Sequence, residues 1–110
     1  MNESPTSHQL DLVFSALANS KRRGMVHDLA YRPATIGQLA RDHDLSLPAI
    51  HKHIRVLEES GLILRRKAGR TNFVALRGQV LRIVQEWITQ YHTEWGHDDA
   101  SLENYISGLQ

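Results

Sequence analysis

At Gly61 the periodicity of this chain changes, and that change restricts what it can fold into. In the stretch before the glycine, "SLPAIHKHIRVLEESGL" (Ser46–Leu62), Ile50, Ile54 and Leu57 recur three and four residues apart, which is the spacing of one helix face. In "LILRRKAGRTNFVAL", β-branched and aromatic residues flank a turn at Ala68, Gly69 and Arg70, which reads as two short strands. Gly61 is the expected left-handed cap between the two regimes. The middle of the chain is therefore a helix running straight into a hairpin.

The remaining segments are helical by the same test. Leu10, Val13, Phe14 and Leu17 mark a first helix, preceded by a polar stretch, residues 1–9, expected to be a flexible arm. Asn19 or Ser20 can cap a second helix that runs to about Tyr31, buries Met25, Val26 and Leu29, and is stopped by Pro33. Thr35 and Gln38 form a capping box that opens a third, short helix. Beyond the hairpin, Val80, Leu81, Val84, Trp87, Ile88, Tyr91 and Trp95 follow helical spacing over about four turns. After Gly96, Asp98 or Asp99 starts a last helix that carries Leu102, Tyr105, Ile106 and Leu109 on one face. The expected fold is mainly α with a small β-hairpin, in the order α-α-α-α-β-β-α-α.

With 110 residues the chain has material for one core, placed in residues 10–110. A domain this small leaves apolar surface uncovered, so a dimer is expected. No apolar run approaches the roughly 18 residues needed to cross a bilayer, and the start lacks a secretory pattern, so no membrane role is expected and the cytoplasm is the expected location. The absence of cysteine excludes disulfides and thiolate metal sites. Net charge is only +1, but it is unevenly spread. Residues 1–77 hold twelve Lys/Arg against seven Asp/Glu, whereas residues 78–110 hold one against five. Between Gly61 and Arg77 lie Arg65, Arg66, Lys67, Arg70 and Arg77 with no acid, a basic face suited to a polyanion.

The third and fourth helices, residues 35–60, have helix-turn-helix spacing. Ala40 is small where two helices approach, Asp44 occupies a turn position that favours a left-handed backbone, and Ile50 plugs the space between them. An αα-hairpin has a similar pattern without binding DNA. The basic strand pair that follows, residues 62–76, has the form of a wing and favours the DNA-binding reading. The stretch from "VFSALANSKRRGMVHDLA" to "HIRVLEESGLI" and "AGRTNFVAL", about Leu10 to Leu76, resembles the ArsR family of winged helix-turn-helix repressors. The resemblance implies a homodimer built by the first and fifth helices. Its two recognition helices would enter successive major grooves of an inverted-repeat operator, and repression would be relieved by an effector. Residues 10–18 and 78–110 are the corresponding dimerisation helices, with Leu10, Val13, Phe14, Leu17, Leu81, Val84, Trp87, Ile88, Tyr91 and Trp95 at the interface.

At 100° per residue, the Ile50, Ile54 and Leu57 stripe leaves Pro48, His51, Lys52 and Arg55 on the opposite face, with His53 at the boundary. His51 and His53 are about 200° apart, so they cannot share a metal from one continuous helix. Candidate DNA contacts are Thr35 and Ser46 at helix starts and Leu47 and Pro48 against thymine methyls. His51 and Lys52 are candidates at base edges, and Arg55 at a phosphate. Arg70 at the wing tip suits the minor groove or backbone, and Arg65, Arg66 and Lys67 suit phosphates. The second-helix "KRR" is expected to add non-specific affinity. No metal site is expected and no cofactor is implied. His92 and His97, with Asp98 and His8 from a partner chain, are the residual metal candidates. Metal-responsive repression and a winged helix used for protein contact remain the alternatives. No enzymatic constellation is present, and the sequence leaves the effector unknown.

Overall fold

The computed structural model describes residues 5–91 and 98–109. Its elements are α1 (Pro5–Leu17), α2 (Ser20–Tyr31), β1 (Ala34–Thr35), α3 (Ile36–Asp42), α4 (Leu47–Glu59), β2 (Ile63–Ala68), β3 (Thr71–Leu76), α5 (Gly78–Thr89) and α6 (Asp98–Gly108). Hydrophobic burial draws residues from seven of these segments into one core. Met25, Leu39, Ile50, Ile54, Leu57 and Leu62 are fully enclosed, with Val13, Ile36, Ile63, Val74, Val80 and Val84 around them. Among the described residues no helix is long and apolar enough to cross a membrane.

Four expectations are corrected. The sheet has three strands, in the order β1-β3-β2, so β1 must be inserted before the third helix. Ala34 pairs with Val74 and Thr35 with Phe73, antiparallel, and two residues alone carry no strand signal. Pro33 prepares this pairing, because it forces Arg32 into extended backbone (φ −170, ψ 160) and so ends α2. The second correction is at the N-terminus. Helix α1 begins at Pro5, inside the stretch read as an arm, since proline is accommodated in a first helical turn.

The third correction is that α5 ends at Thr89, about three turns after it begins, with Gln90 as its C-cap. Its last amide bonds tighten, with Tyr91 N donating to the Ile88 carbonyl at 3.1 Å, while the Thr89 hydroxyl donates back to the Gln85 carbonyl at 2.6 Å. Trp95, His92 and His97 lie outside the described residues. The fourth concerns two interface candidates. Val13 and Val84 are 1% and 9% exposed within the single chain, so they belong to its own core.

The α1–α2 corner gives the "KRR" run a different task from the one expected. Only Ala18 and Asn19 separate the helices, and Asn19 caps α2 by accepting from Arg22 N at 3.1 Å. The unsatisfied carbonyls at the end of α1 are taken by arginine. Arg22 Nε donates to Ala16 O at 2.6 Å, Arg22 Nη2 to Ser15 O at 3.3 Å, and Arg23 Nη1 to Leu17 O at 2.8 Å. Positive charge at a helix C-terminus also complements the helix dipole. Lys21 reaches further and donates to His43 O at 2.7 Å, at the end of α3.

Helices α3 and α4 end in the same motif. After α3, Asp44 N donates to Arg41 O and Leu45 N to Ala40 O; after α4, Gly61 N donates to Glu58 O and Leu62 N to Leu57 O. Both are Schellman caps with a left-handed residue, Asp44 at φ 53 and Gly61 at φ 83. The two positions differ in what a side chain meets. At Gly61 a Cβ would stand 3.0 Å from Gln9 Nε2 of α1, whereas Asp44 is exposed. Gly61→Ala is expected to lower unfolding free energy by about 1–2 kcal/mol. Asp44→Gly should instead raise it by about 0.5 kcal/mol, the relief of a strained backbone less the entropy glycine adds to the unfolded chain. Urea melts of the two variants check both signs.

Candidate nucleic-acid interface

Helix α4 follows from its ends and its stripe. Ser46 caps it, with its hydroxyl oxygen accepting from Ala49 N at 3.3 Å, and Pro48 occupies the first turn, where amide donors have no intrahelical partner. Ile50, Ile54 and Leu57 are buried to 1% or less, which leaves Leu47, Pro48, His51, Lys52 and Arg55 exposed. Leu47 is 62% exposed, a large apolar side chain presented to solvent at the helix start. The two histidines part as the angular count requires. His51 faces out, and His53 is half-buried with its Nδ1 3.2 Å from Arg22 Nη1.

Helix α3 is held behind α4. Thr35 caps it by accepting from Gln38 N at 3.0 Å, and β1 pins that cap to β3 of the wing. At its other end the His43 ring is fixed to α2, with Nε2 donating to Asp28 Oδ2 at 2.7 Å. The ring lies against Gly24, where a Cβ would come within 3.0 Å of His43 Cε1, so a glycine inside α2 makes room for the neighbouring helix. The turn between α3 and α4 is thus tied to α2 by Lys21 and Asp28 together.

The wing turns tightly. Ala68 pairs with Thr71, so only Gly69 and Arg70 form the loop, with Gly69 at φ 64. Glycine with positive φ in the first loop position is the pattern of a type II′ hairpin, which matches the twist of the strands. This short loop places Arg70 back toward the helices. An open cleft of about 260 Å³ is lined by Thr35, Ile36 and Gly37 at the start of α3, Leu47 and His51 of α4, and Arg70, Thr71 and Asn72 of the wing. Four residues singled out in sequence, Thr35, Leu47, His51 and Arg70, therefore meet around one space. Gly37, Thr71 and Asn72 were not singled out. Gly37 follows the Thr35 cap in the first turn of α3, while the place of Thr71 and Asn72 depends on hairpin register, which only the short loop signalled.

The other basic candidates diverge. Cross-strand register sets Arg65 opposite Val74 and Arg66 opposite Phe73. Arg65 shares the core-side face and bonds Glu58 of α4, Nη2 to Oε1 at 2.7 Å and Nε to Oε2 at 3.3 Å. The wing is thus not free of acid contacts once folded, because Glu58 lies just outside the uncompensated stretch. Arg66, Lys67 and Arg70 are exposed. Burial first, then the positive charges of Arg22 and Lys21, push the His53 pKa below its ordinary value of 6.5. Among the described residues no group of three His, Cys, Asp or Glu side chains is arranged to hold a metal ion.

A helix pair with a protruding N-terminal face, followed by a basic wing on the same side, defines a winged helix-turn-helix DNA-binding protein. The comparisons with known proteins agree. A family model described as a helix-turn-helix domain matches residues 17–66. The HTH-type transcriptional regulator Rv2034 of Mycobacterium tuberculosis is 36% identical over 89 residues, covering 74% of this chain and 83% of that protein. The crystal structure of the ArsR family transcriptional regulator RHA00566 superposes with a TM-score of 0.73 at 37% identity, covering 82% of this chain and 91% of that one. The solution structure of a homodimeric winged helix-turn-helix fragment, Mb0332 from Mycobacterium bovis, shares the fold. Its TM-score is 0.65 at 20% identity, over 84% of this chain and 97% of that one. This chain belongs to the ArsR family of winged helix-turn-helix transcriptional regulators. It is a DNA-binding regulator and not an enzyme. Because Glu58 already holds Arg65, Arg65→Ala is expected to weaken binding to duplex DNA less than Arg70→Ala does. Fluorescence anisotropy of the two variants side by side measures that order.

Proposed function

We propose that the chain is a homodimeric repressor that binds a short inverted repeat, with α4 in the major groove and the wing on the backbone or in the adjoining minor groove. The observation that carries this reading is the convergence of Thr35, Leu47, His51 and Arg70, from three separate segments, on one open face. Their roles follow from chemistry. Thr35 and Ser46 donate hydroxyl hydrogens to phosphates from helix starts, where the dipole favours anions. Leu47 and Pro48 contact thymine methyls, and His51 and Lys52 reach base edges, lysine preferring guanine O6 and N7. Arg55, a turn later, takes a phosphate. Arg66 and Lys67 add sequence-independent attraction, Arg65 less so while it is paired, and Arg70 inserts or clamps.

Residues 35–60 and 62–76 form the DNA-binding part of a single domain spanning 10–110, and 10–18 with 78–110 form the dimerisation part. Support for dimerisation comes from apolar side chains left on the α1 and α5 surface. Phe14 and Trp87 meet edge to face at 5.4 Å, and Trp87 and Tyr91 at 5.0 Å, yet they are 38%, 38% and 64% exposed. Ile88 is 54% exposed, and Leu10, Leu17 and Leu81 are only partly buried against the core beneath this face. A second copy of the chain is the occupant this face fits, as the homodimeric relative illustrates. Repression follows from occupancy, since a dimer across a promoter excludes polymerase. No effector or cofactor is assigned.

Binding to genomic fragments at physiological salt tests the reading, and no sequence-selective binding would defeat it. Lys52→Ala is expected to relax preference at one operator position, at a cost of about 1–3 kcal/mol. Arg70→Ala should weaken binding to all duplexes and flatten the salt dependence. Equal loss on operator and scrambled DNA for Lys52→Ala would remove its base-reading role. Ile88→Glu places a charge in the apolar face and is expected to yield folded monomers by sedimentation velocity, with operator affinity lost.

A further inference from the structure

Arg22 links three helices: its backbone lies in α2 and its guanidinium contacts α1 and α4. Two of its donors are fixed on α1 carbonyls, Nε on Ala16 O at 2.6 Å and Nη2 on Ser15 O at 3.3 Å, while its own backbone belongs to α2. The third donor, Nη1, faces His53 Nδ1 of α4 at 3.2 Å. Arginine is donor-only and carries its positive charge at all ordinary pH, so the histidine nitrogen must be the acceptor. The hydrogen bond therefore requires the neutral Nε2–H tautomer of the ring. We infer that Arg22 and His53 are a positioning pair for DNA recognition: the guanidinium, anchored on α1, sets the roll of α4 about its axis, and does so only while the His53 ring is neutral.

The inference rests on the DNA-reading role proposed for α4 and deepens it. The close-packed stripe of Ile50, Ile54 and Leu57 sets which face of α4 is buried, and a restraint at the edge of that stripe has the most leverage on what roll remains. A hydrogen bond at the edge of the stripe is directional. Side-chain tips stand about 6 Å from a helix axis, so a roll of about 20° moves them by about 2 Å. That exceeds the tolerance of a base contact from His51 or Lys52, which lie on the same turn. Because the other two legs of the guanidinium grip the end of α1, roll is referred to the helix proposed to build the dimer. The pair thus aligns each recognition helix with the dimer interface.

The surroundings agree with a neutral ring. The charges acting on His53 come from α2, Arg22 and Lys21, and both are positive. Helix α1 offers the carbonyls of Ser15 and Ala16, already held by Arg22. One turn away along α4 stand Ala49, Ile50, Val56 and Leu57, none of which titrates. Helix α3 and strand β2 also pack on α4, and the charges that shift the ring remain those of Arg22 and Lys21. Burial and the two cations lower the ring's pKa, so the neutral form's contribution is fully present above pH 6.5. It is lost as pH falls through the lowered value in the folded protein, when the ring protonates and Arg22 faces a like charge.

The test leaves Arg22 and its caps intact. His53→Leu removes the acceptor, while His53→Asn places a non-titrating carbonyl oxygen near the Nδ1 position. With the full-length protein and a duplex selected from random sequence, His53→Leu is expected to lose about tenfold in affinity at pH 7.5, with helicity and dimerisation unchanged. His53→Asn should recover most of it. The ratio of wild-type to His53→Asn affinity should fall between pH 7 and 5; His51 is common to both proteins and cancels. Nitrogen-15 spectra of the wild-type ring should show the Nε2–H tautomer. Wild-type affinity in His53→Leu, a His53→Asn protein as weak as His53→Leu, or a ring protonated at neutral pH would each overturn the pair. If the wild-type protein selects no duplex, the DNA-reading proposal fails on its own. The pair is then judged by amide exchange in α4, and unchanged protection in His53→Leu overturns it.

Discussion

Sinking Ile50, Ile54 and Leu57 into the core on one side of α4 obliges His51, Lys52 and Arg55 to stand on the other, because an α-helix advances about 100° per residue. Most of the molecule serves that orientation. Helix α3 backs it, β1 and the Thr35 cap fasten α3 to the wing, and the paired Schellman caps at Asp44 and Gly61 fix where α4 begins and ends. Deleting any one buried member of the stripe removes packing worth about 2–5 kcal/mol, a large share of a small domain's stability. The surface proposed to face DNA is in this sense the reverse side of the core.

Positive charge is divided between two kinds of work. Lys21, Arg22, Arg23 and Arg65 donate to groups of the protein itself, three of them to backbone carbonyls and Arg65 to Glu58. Lys52, Arg55, Arg66, Lys67 and Arg70 remain exposed on α4 and the wing. A count of basic residues along the chain overstates what is free to meet phosphate. Solvent-exposed pairs such as Arg65–Glu58 contribute little to stability, so their main effect is on how charge is presented.

Local chemistry was legible in the sequence where one or two residues decide it. The caps at Asn19, Thr35 and Ser46, the left-handed turn at Asp44, the break at Gly61 and the divergence of His51 from His53 all follow from side-chain type and helical angle. What depends on distant partners was not legible. Strand β1 exists because Ala34 and Thr35 find Val74 and Phe73, some forty residues away. The arginines of the α1–α2 corner read as a basic patch until the carbonyls they cap are in view. Val13 and Val84 fit the same helical stripes as Phe14 and Trp87, and only packing separates core from outer surface. Within the candidate interface, Leu47 and Arg70 were legible by exposure and turn chemistry, while Thr71 and Asn72 required the hairpin register.

The two-residue wing loop leaves the hairpin no slack. Gly69 and Arg70 close it directly on the Ala68–Thr71 pair, and the three-stranded sheet behind it is braced through β1 to α3. The span from α4 to the wing tip is thereby a fixed length in the protein. A duplex whose grooves do not match that length must do the adjusting, and the elastic work of narrowing or bending it varies from one base step to the next. Stiff and pliant sequences would then be sorted at base pairs that no side chain reaches.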